Sequence, residues 1–148
     1  MATARLDSLI TNLTSIEKKV IDTIQGVIKE NEAWIVELNS EDQLYEKGIN
    51  RKGVAISDYE PYSSVTISIK REKGQPTGRV TLRDTGDFQR SFHIEYGSDT
   101  FEIKASDWKT DELIKKYGEE ILGLTDENMR DIADSYITPA LVKLFKSL

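Results

Sequence analysis

Asp84, Thr85 and Gly86 stand together in the run Val80-Thr81-Leu82-Arg83-Asp84-Thr85-Gly86-Asp87-Phe88. An aspartate on an Asp-Thr-Gly loop can activate water when a second such aspartate shares its proton. The chain carries one copy of the loop, so this chemistry needs two chains that bring their loops together across a two-fold axis. The same residues also make a tight turn. Asp84 and Thr85 can accept hydrogen bonds from their own backbone two residues on, and Gly86 takes positive φ without steric cost. The flanking residues favour the turn. Arg83 stands where a loop buried at a dimer centre wants an apolar side chain, and Asp87 adds a charge that would cost desolvation beside a shared proton. In the turn reading, Phe88 and Phe92 share one face of a helical turn that leads into a strand.

Other reactive residue types are few. The chain has no cysteine, which removes disulfides, thiolate ligands and cysteine nucleophiles together. It has one histidine, His93, so histidine-cluster metal sites are excluded and any serine-histidine chemistry runs through that residue. His93 falls between Phe92 and Ile94 in a strand-like segment, where a sheet-surface role is expected. No cofactor and no metal are expected. Lys70-Arg71-Glu72-Lys73 opens a polar loop that extends to Gly78; it reads as a solvated tip, and Lys70, Arg71 and Lys73 are candidates for contact with DNA or an acidic partner.

The elements that hold these residues belong to one domain of 148 residues, 38% apolar and 31% charged. No window approaches the roughly 18 consecutive apolar residues of a membrane span, and no basic then apolar leader is seen at the N-terminus, so a soluble protein made in the cytoplasm is expected. The net charge of −6 hides an asymmetry: residues 47–90 carry nine Lys/Arg against five Asp/Glu, whereas 99–131 carry ten Asp/Glu against five Lys/Arg. Such segments are ordinarily solvated surface, and they also suit stacking against copies or charged neighbours.

A long amphipathic helix is expected first. Leu6, Leu9, Ile10, Leu13, Ile16, Val20, Ile21, Ile24, Val27 and Ile28 fall within an arc of roughly 140°. Trp34, Ile35 and Leu38 extend the stripe, so the helix runs from about Ala4 to Leu38 or breaks near Asn31, and Asn39 and Ser40 end it. At this length it spans roughly 50 Å, so part of it packs outside its own domain or folds onto its own sheet. Ser40 is expected to cap a short turn that ends near Tyr45, and residues 50–61 to form an irregular connection. Strands are expected at Val65 to Ile69, Arg79 to Leu82, Phe92 to Tyr96 and Thr100 to Ala105, the last two joined by Gly97-Ser98-Asp99. This gives an α+β fold with a small antiparallel sheet of about four strands between residues 39 and 105. Residues 106–148 are expected to be helical, with a helix from about Asp111 to a stop at Gly118, a last helix capped by Thr125, and a kink or restart near Ile137–Thr138 imposed by Pro139. The apolar C-terminus is expected to be docked.

These segments carry a resemblance. Gln43-Leu44-Tyr45 with Gly48-Ile49, Gly74-Gln75-Pro76, the run Val80 to Phe88, Tyr117-Gly118 and Ile121-Leu122-Gly123-Leu124 are similar to the tail-completion or neck proteins of tailed bacteriophages, and most of all to those of Bacteroidetes phages and prophages. The resemblance covers roughly Leu38 to Leu148. It implies a non-enzymatic virion protein at the head-tail junction, present as a homo-oligomeric ring that joins the portal or its adaptor to the tail. On this reading Leu13, Val20, Ile24 and Ile28 of the long helix and Leu141, Leu144 and Phe145 of the last one serve lateral packing, while Lys70, Arg71 and Lys73 face packaged DNA or a partner. Two alternatives stay open. A dimeric retroviral-type aspartic protease would use Asp84 and a supporting segment like Ile121-Leu122-Gly123, but its all-β fold has no place for the long helix. A cytoplasmic adaptor would bind its partner through that helix.

Overall fold

A computed structural model describes residues 2–148. The chain forms two compact units. One comprises residues 2–31 with Ile132–Leu148; the other is Glu32–Asp131.

In the first unit, α1 (Ala2–Glu30) spans 29 residues, about 43 Å. It ends at Asn31, whose side-chain amide donates to the Val27 carbonyl at 2.8 Å, a local bond that competes with continuing the helix. The chain returns to this unit through a wide π-type turn, Ala133–Ile137, and restarts as α7 (Thr138–Lys146) with Pro139 in its first turn, where its missing N–H costs nothing. This is the restart expected from Pro139. The turn and α7 both pack along α1. Burial along α1 is uneven: Leu6, Leu9, Ile10 and Leu13 are each more than half exposed, whereas Ile28 is fully buried.

In the second unit, α2 (Glu32–Glu37) runs without interruption into a π-helical stretch, Leu38–Lys47. Asn39 and Ser40 therefore do not end the helix as expected. The Ser40 hydroxyl donates back to the Val36 carbonyl at 3.0 Å instead of capping a new turn. Gly48, at φ 63°, stops the stretch, and an isolated bridge from Ile49 to Ala55 closes the next loop. A single 3-10 turn, Ile56–Asp58, follows.

Two expected strands are absent. Residues Ser64–Glu72 form α3, capped by the Ser63 hydroxyl, which accepts from the Thr66 N–H at 3.1 Å. Val65 and Ile69 point to solvent at 67% and 48% exposure, while Lys70 is buried, so the apolar alternation marks no buried sheet face. Arg79 to Leu82 is extended without being a strand. Its backbone is satisfied by side chains: Thr81 N–H donates to the Tyr62 hydroxyl at 3.0 Å, and Gln89 Nε2 donates to the Thr81 and Leu82 carbonyls at 3.1 and 3.0 Å. The sheet among the described residues has two strands rather than about four, β1 (Phe92–Tyr96) and β2 (Phe101–Ala105), antiparallel with Ile94 opposite Ile103. The architecture is thus mixed helix and sheet with helix dominant.

A short α4 (Asp87–Arg90) precedes the hairpin, and α5 (Thr110–Tyr117) follows it, stopped at Gly118 as expected. A 3-10 turn, Glu119–Ile121, leads to α6 (Asp126–Ile132), whose first turn is capped by the Thr125 hydroxyl accepting from Asn128 N–H at 3.2 Å. The core of this unit includes Ile35, Leu44, Ile56, Val80, Phe88, Ile94, Ile103 and Ile121. No helix among the described residues is long and apolar enough to cross a membrane.

Candidate functional site

The Asp-Thr-Gly loop sits on the surface of the second unit as a turn into α4. Gly86 has φ 86°, and the Thr85 hydroxyl accepts from Asp87 N–H at 3.4 Å, the local bond expected of it. Phe88 and Phe92 meet edge to face with ring centroids 5.0 Å apart, as their spacing suggests.

Asp84 behaves differently from the expectation. Its carboxylate does not bond its own backbone; Oδ1 accepts from Lys73 Nζ at 2.8 Å and Gln75 Nε2 at 3.2 Å. The Lys73 hydrogen bond, followed by that from Gln75, holds the carboxyl below its ordinary value of 3.8. Asp84 is thus an ionised, exposed group already paired with a cation, whereas a dyad partner must share a proton. Asp87 is likewise held low, by the Thr85 hydrogen bond first and then by Arg90.

Lys70 departs from its expected place at a charged tip. Its side chain is buried, lies 5.0 Å from the Tyr62 ring centroid and donates to the Arg83 carbonyl at 3.1 Å. It therefore holds the loop from beneath and offers no free charge to DNA. Arg71 and Lys73 are exposed, the latter occupied by Asp84. An open cavity of ≈ 190 Å³ beside the loop is lined by Tyr62, Lys70, Asp84, Gly86, Phe88 and Tyr117, among others.

Segments distant in sequence meet in this unit. The Arg83 guanidinium lies 3.8 Å from the Tyr45 ring centroid and ion-pairs with Glu41, and Arg79 Nε donates to the Tyr45 carbonyl. Gly48 lies close against Arg79 and Val80. Asn39 and Gln43, one helical turn apart, clasp residues 121–125 through their side-chain amides. Asn39 Nδ2 donates to the Ile121 carbonyl at 2.9 Å, and its Oδ1 accepts from Gly123 N–H at 2.8 Å. Gln43 Nε2 donates to the Gly123 carbonyl at 2.9 Å, and its Oε1 accepts from Thr125 N–H and Asn128 Nδ2, both at 2.9 Å. Sequence reasoning missed Asn39, Gln43, Asn128 and Gln89, all buried. The signal for the first two was polar amides four apart on the continuation of an apolar stripe.

His93 lies on β1, as expected, with 40% side-chain exposure. Its Nδ1 meets the Ser91 carbonyl at 3.1 Å and its Nε2 meets Glu95 at 3.2 Å. Among the described residues no group of three or more histidine or carboxylate side chains is placed to hold a metal ion.

The residues expected at a subunit interface divide. Leu13 and Phe145 are more than half exposed; Val20, Ile24, Leu141 and Leu144 are half-buried. Ile28 is fully buried and is core rather than free surface. The chain matches no family model, no curated protein and no solved structure.

Proposed function

We propose that the chain is a structural component of a tailed-phage head-tail junction, assembled as a ring between portal or adaptor and tail, and that it carries out no catalysis. The observation that carries this reading is that the segments resembling phage neck proteins, far apart in sequence, fold into one compact unit: Gln43 holds Gly123, Arg83 covers Tyr45, and Gln75 holds Asp84. The stripe Leu6, Leu9, Ile10 and Leu13 supports assembly, since each residue is more than half exposed in the single chain and gains from burial against a neighbour. Asp84 acts here as a fastening for the loop through Lys73. The basic 47–90 and acidic 99–131 segments belong to the same unit and suit head-to-tail contact between copies, the arrangement that closes a ring. A cytoplasmic adaptor would use the same α1 stripe, and gene order separates the two: flanking portal, capsid or tape-measure genes go with the neck.

Light scattering on the full chain, alone and with the products of the flanking genes, tests assembly directly. A ring-sized mass is expected. A chain that stays monomeric at high concentration with those neighbours present sinks the reading.

A further inference from the structure

The outer edge of β2 is an open backbone edge inside a groove. In the hairpin, Gly97 N–H donates to the Thr100 carbonyl, so hydrogen-bonded pairs alternate outward from that position and fall at Glu95 with Glu102 and His93 with Lys104. The N–H and C=O groups of Phe101, Ile103 and Ala105 therefore face away from β1. The matching outward group on β1, Ile94 N–H, donates to Glu32 Oε1 at 3.0 Å, so that edge is occupied at its centre. No hydrogen bond among the described residues reaches the backbone of Phe101, Ile103 or Ala105 on the β2 edge.

This edge borders an open cavity of ≈ 630 Å³ whose other walls come from α5, α6 and the 122–124 segment. That volume lies within the range of about 300–1,000 Å³ typical of ligand sites. Ile114, Leu122, Leu124 and Met129 supply apolar walls. Glu102 and Lys104 also line the groove, but they pair with each other at 3.0 Å and so present no unpaired charge to the edge.

We propose that this groove binds an extended segment of another protein, which adds to β2 as a third strand. Alternating N–H and C=O groups on an edge are complementary to an extended backbone and to little else, and strand addition is how exposed sheet edges bind peptides. The five residues of β2 offer about 17 Å of edge. Alternate side chains of the incoming strand fall against the apolar walls, so the segment is apolar at every second position. Glu102, Asp111 and Glu119 outnumber Arg51 and Lys104 around the groove, which lies almost wholly within a 99–131 segment of ten acidic residues against five basic ones, so the incoming segment carries Lys or Arg at its ends. The proposal does not depend on the phage reading.

The test is to select random nonamer peptides from a display library against the full chain, then to titrate the most enriched peptide into isotope-labelled protein. Selected peptides are expected to alternate apolar and polar residues with basic ends. The amides of Phe101, Ile103 and Ala105 should become at least tenfold more protected from exchange. N-methylation of the alternate amides that face β2 should weaken binding at least tenfold, while methylation of the other set leaves it unchanged. The proposal is overturned by no enrichment, by protection elsewhere, or by equal loss for both methylated sets. Concentration-dependent dimerisation that protects the same three amides also overturns it, in favour of β2 pairing with a second copy.

Discussion

Gln43 takes the place of a strand partner for Gly123: its amide nitrogen donates to the Gly123 carbonyl, and its amide oxygen accepts from Thr125 two residues on. Asn39 repeats the device one helical turn earlier, on Ile121 and Gly123. The 121–125 segment is thus held by side chains, these two from a helix and Arg51 on the Leu122 carbonyl at 3.2 Å, with no sheet involved. Truncating Gln43 leaves the part-buried Gly123 carbonyl and Thr125 N–H without this partner, and leaves the Asn128 amide only Asp42. Gln43→Ala should destabilise the chain by about 2–4 kcal/mol in urea denaturation. A double-mutant cycle with Asn39→Ala should show coupling, since both hold Gly123. Additive losses would mean the two clasps act separately.

The same clasp explains what was legible in the sequence. Thr125, Gly118, Pro139 and the Gly97-Ser98-Asp99 turn act on backbone within a few residues of themselves, and all four act where their residue types place them. Val65, Ile67 and Ile69 alternate as a strand would, yet they lie in a helix. Ser63 caps that helix, and Lys70, a long stem with a charged end, supplies the inward contact that an apolar residue was expected to make. Arg79 to Leu82 has the composition of a strand, but Tyr62 and Gln89 satisfy its backbone from outside any sheet. A side chain that comes from elsewhere in the fold to bond a backbone leaves no local periodicity. That is also why Asp84 was read as bonding itself rather than Lys73.

Gly48 and Gly53 separate two costs of adding a side chain. Both have positive φ, 63° and 76°. A Cβ at Gly48 would stand 3.0 Å from Arg79 Cβ and 3.1 Å from the Val80 carbonyl, whereas a Cβ at Gly53 meets nothing within 4 Å. Gly53→Ala should cost only the left-handed backbone penalty, about 1 kcal/mol, and Gly48→Ala about 2–3 kcal/mol because crowding is added. Thermal or urea unfolding of the two variants checks this; equal losses would mean that the Arg79–Val80 segment yields freely.

Asp84→Asn should cost less than about 1 kcal/mol, because the Lys73 pair is half exposed and screened. The sign of its pH dependence follows from its lowered folded value: the stabilisation is present above the unfolded value near 3.8 and is lost as pH falls through the folded one. The loss in D84N should also shrink as salt rises. A salt-independent loss of several kcal/mol would overturn the picture of a surface fastening.

His93 gives the opposite sign. Its imidazole is held above its ordinary value of 6.5, first by the hydrogen bond to the Ser91 carbonyl and then by Glu95. The protonated ring donates from both nitrogens, so the folded state favours the charged form. That contribution is fully present below the unfolded value and is lost as pH rises through the folded one. Because the chain has one histidine, a proton NMR titration of its ring reads this site alone. The midpoint should lie above 6.5, and Glu95→Gln should lower it without returning it fully to the free value, since the Ser91 bond remains. A midpoint at or below 6.5 in the unaltered chain would mean that neither bond persists in solution.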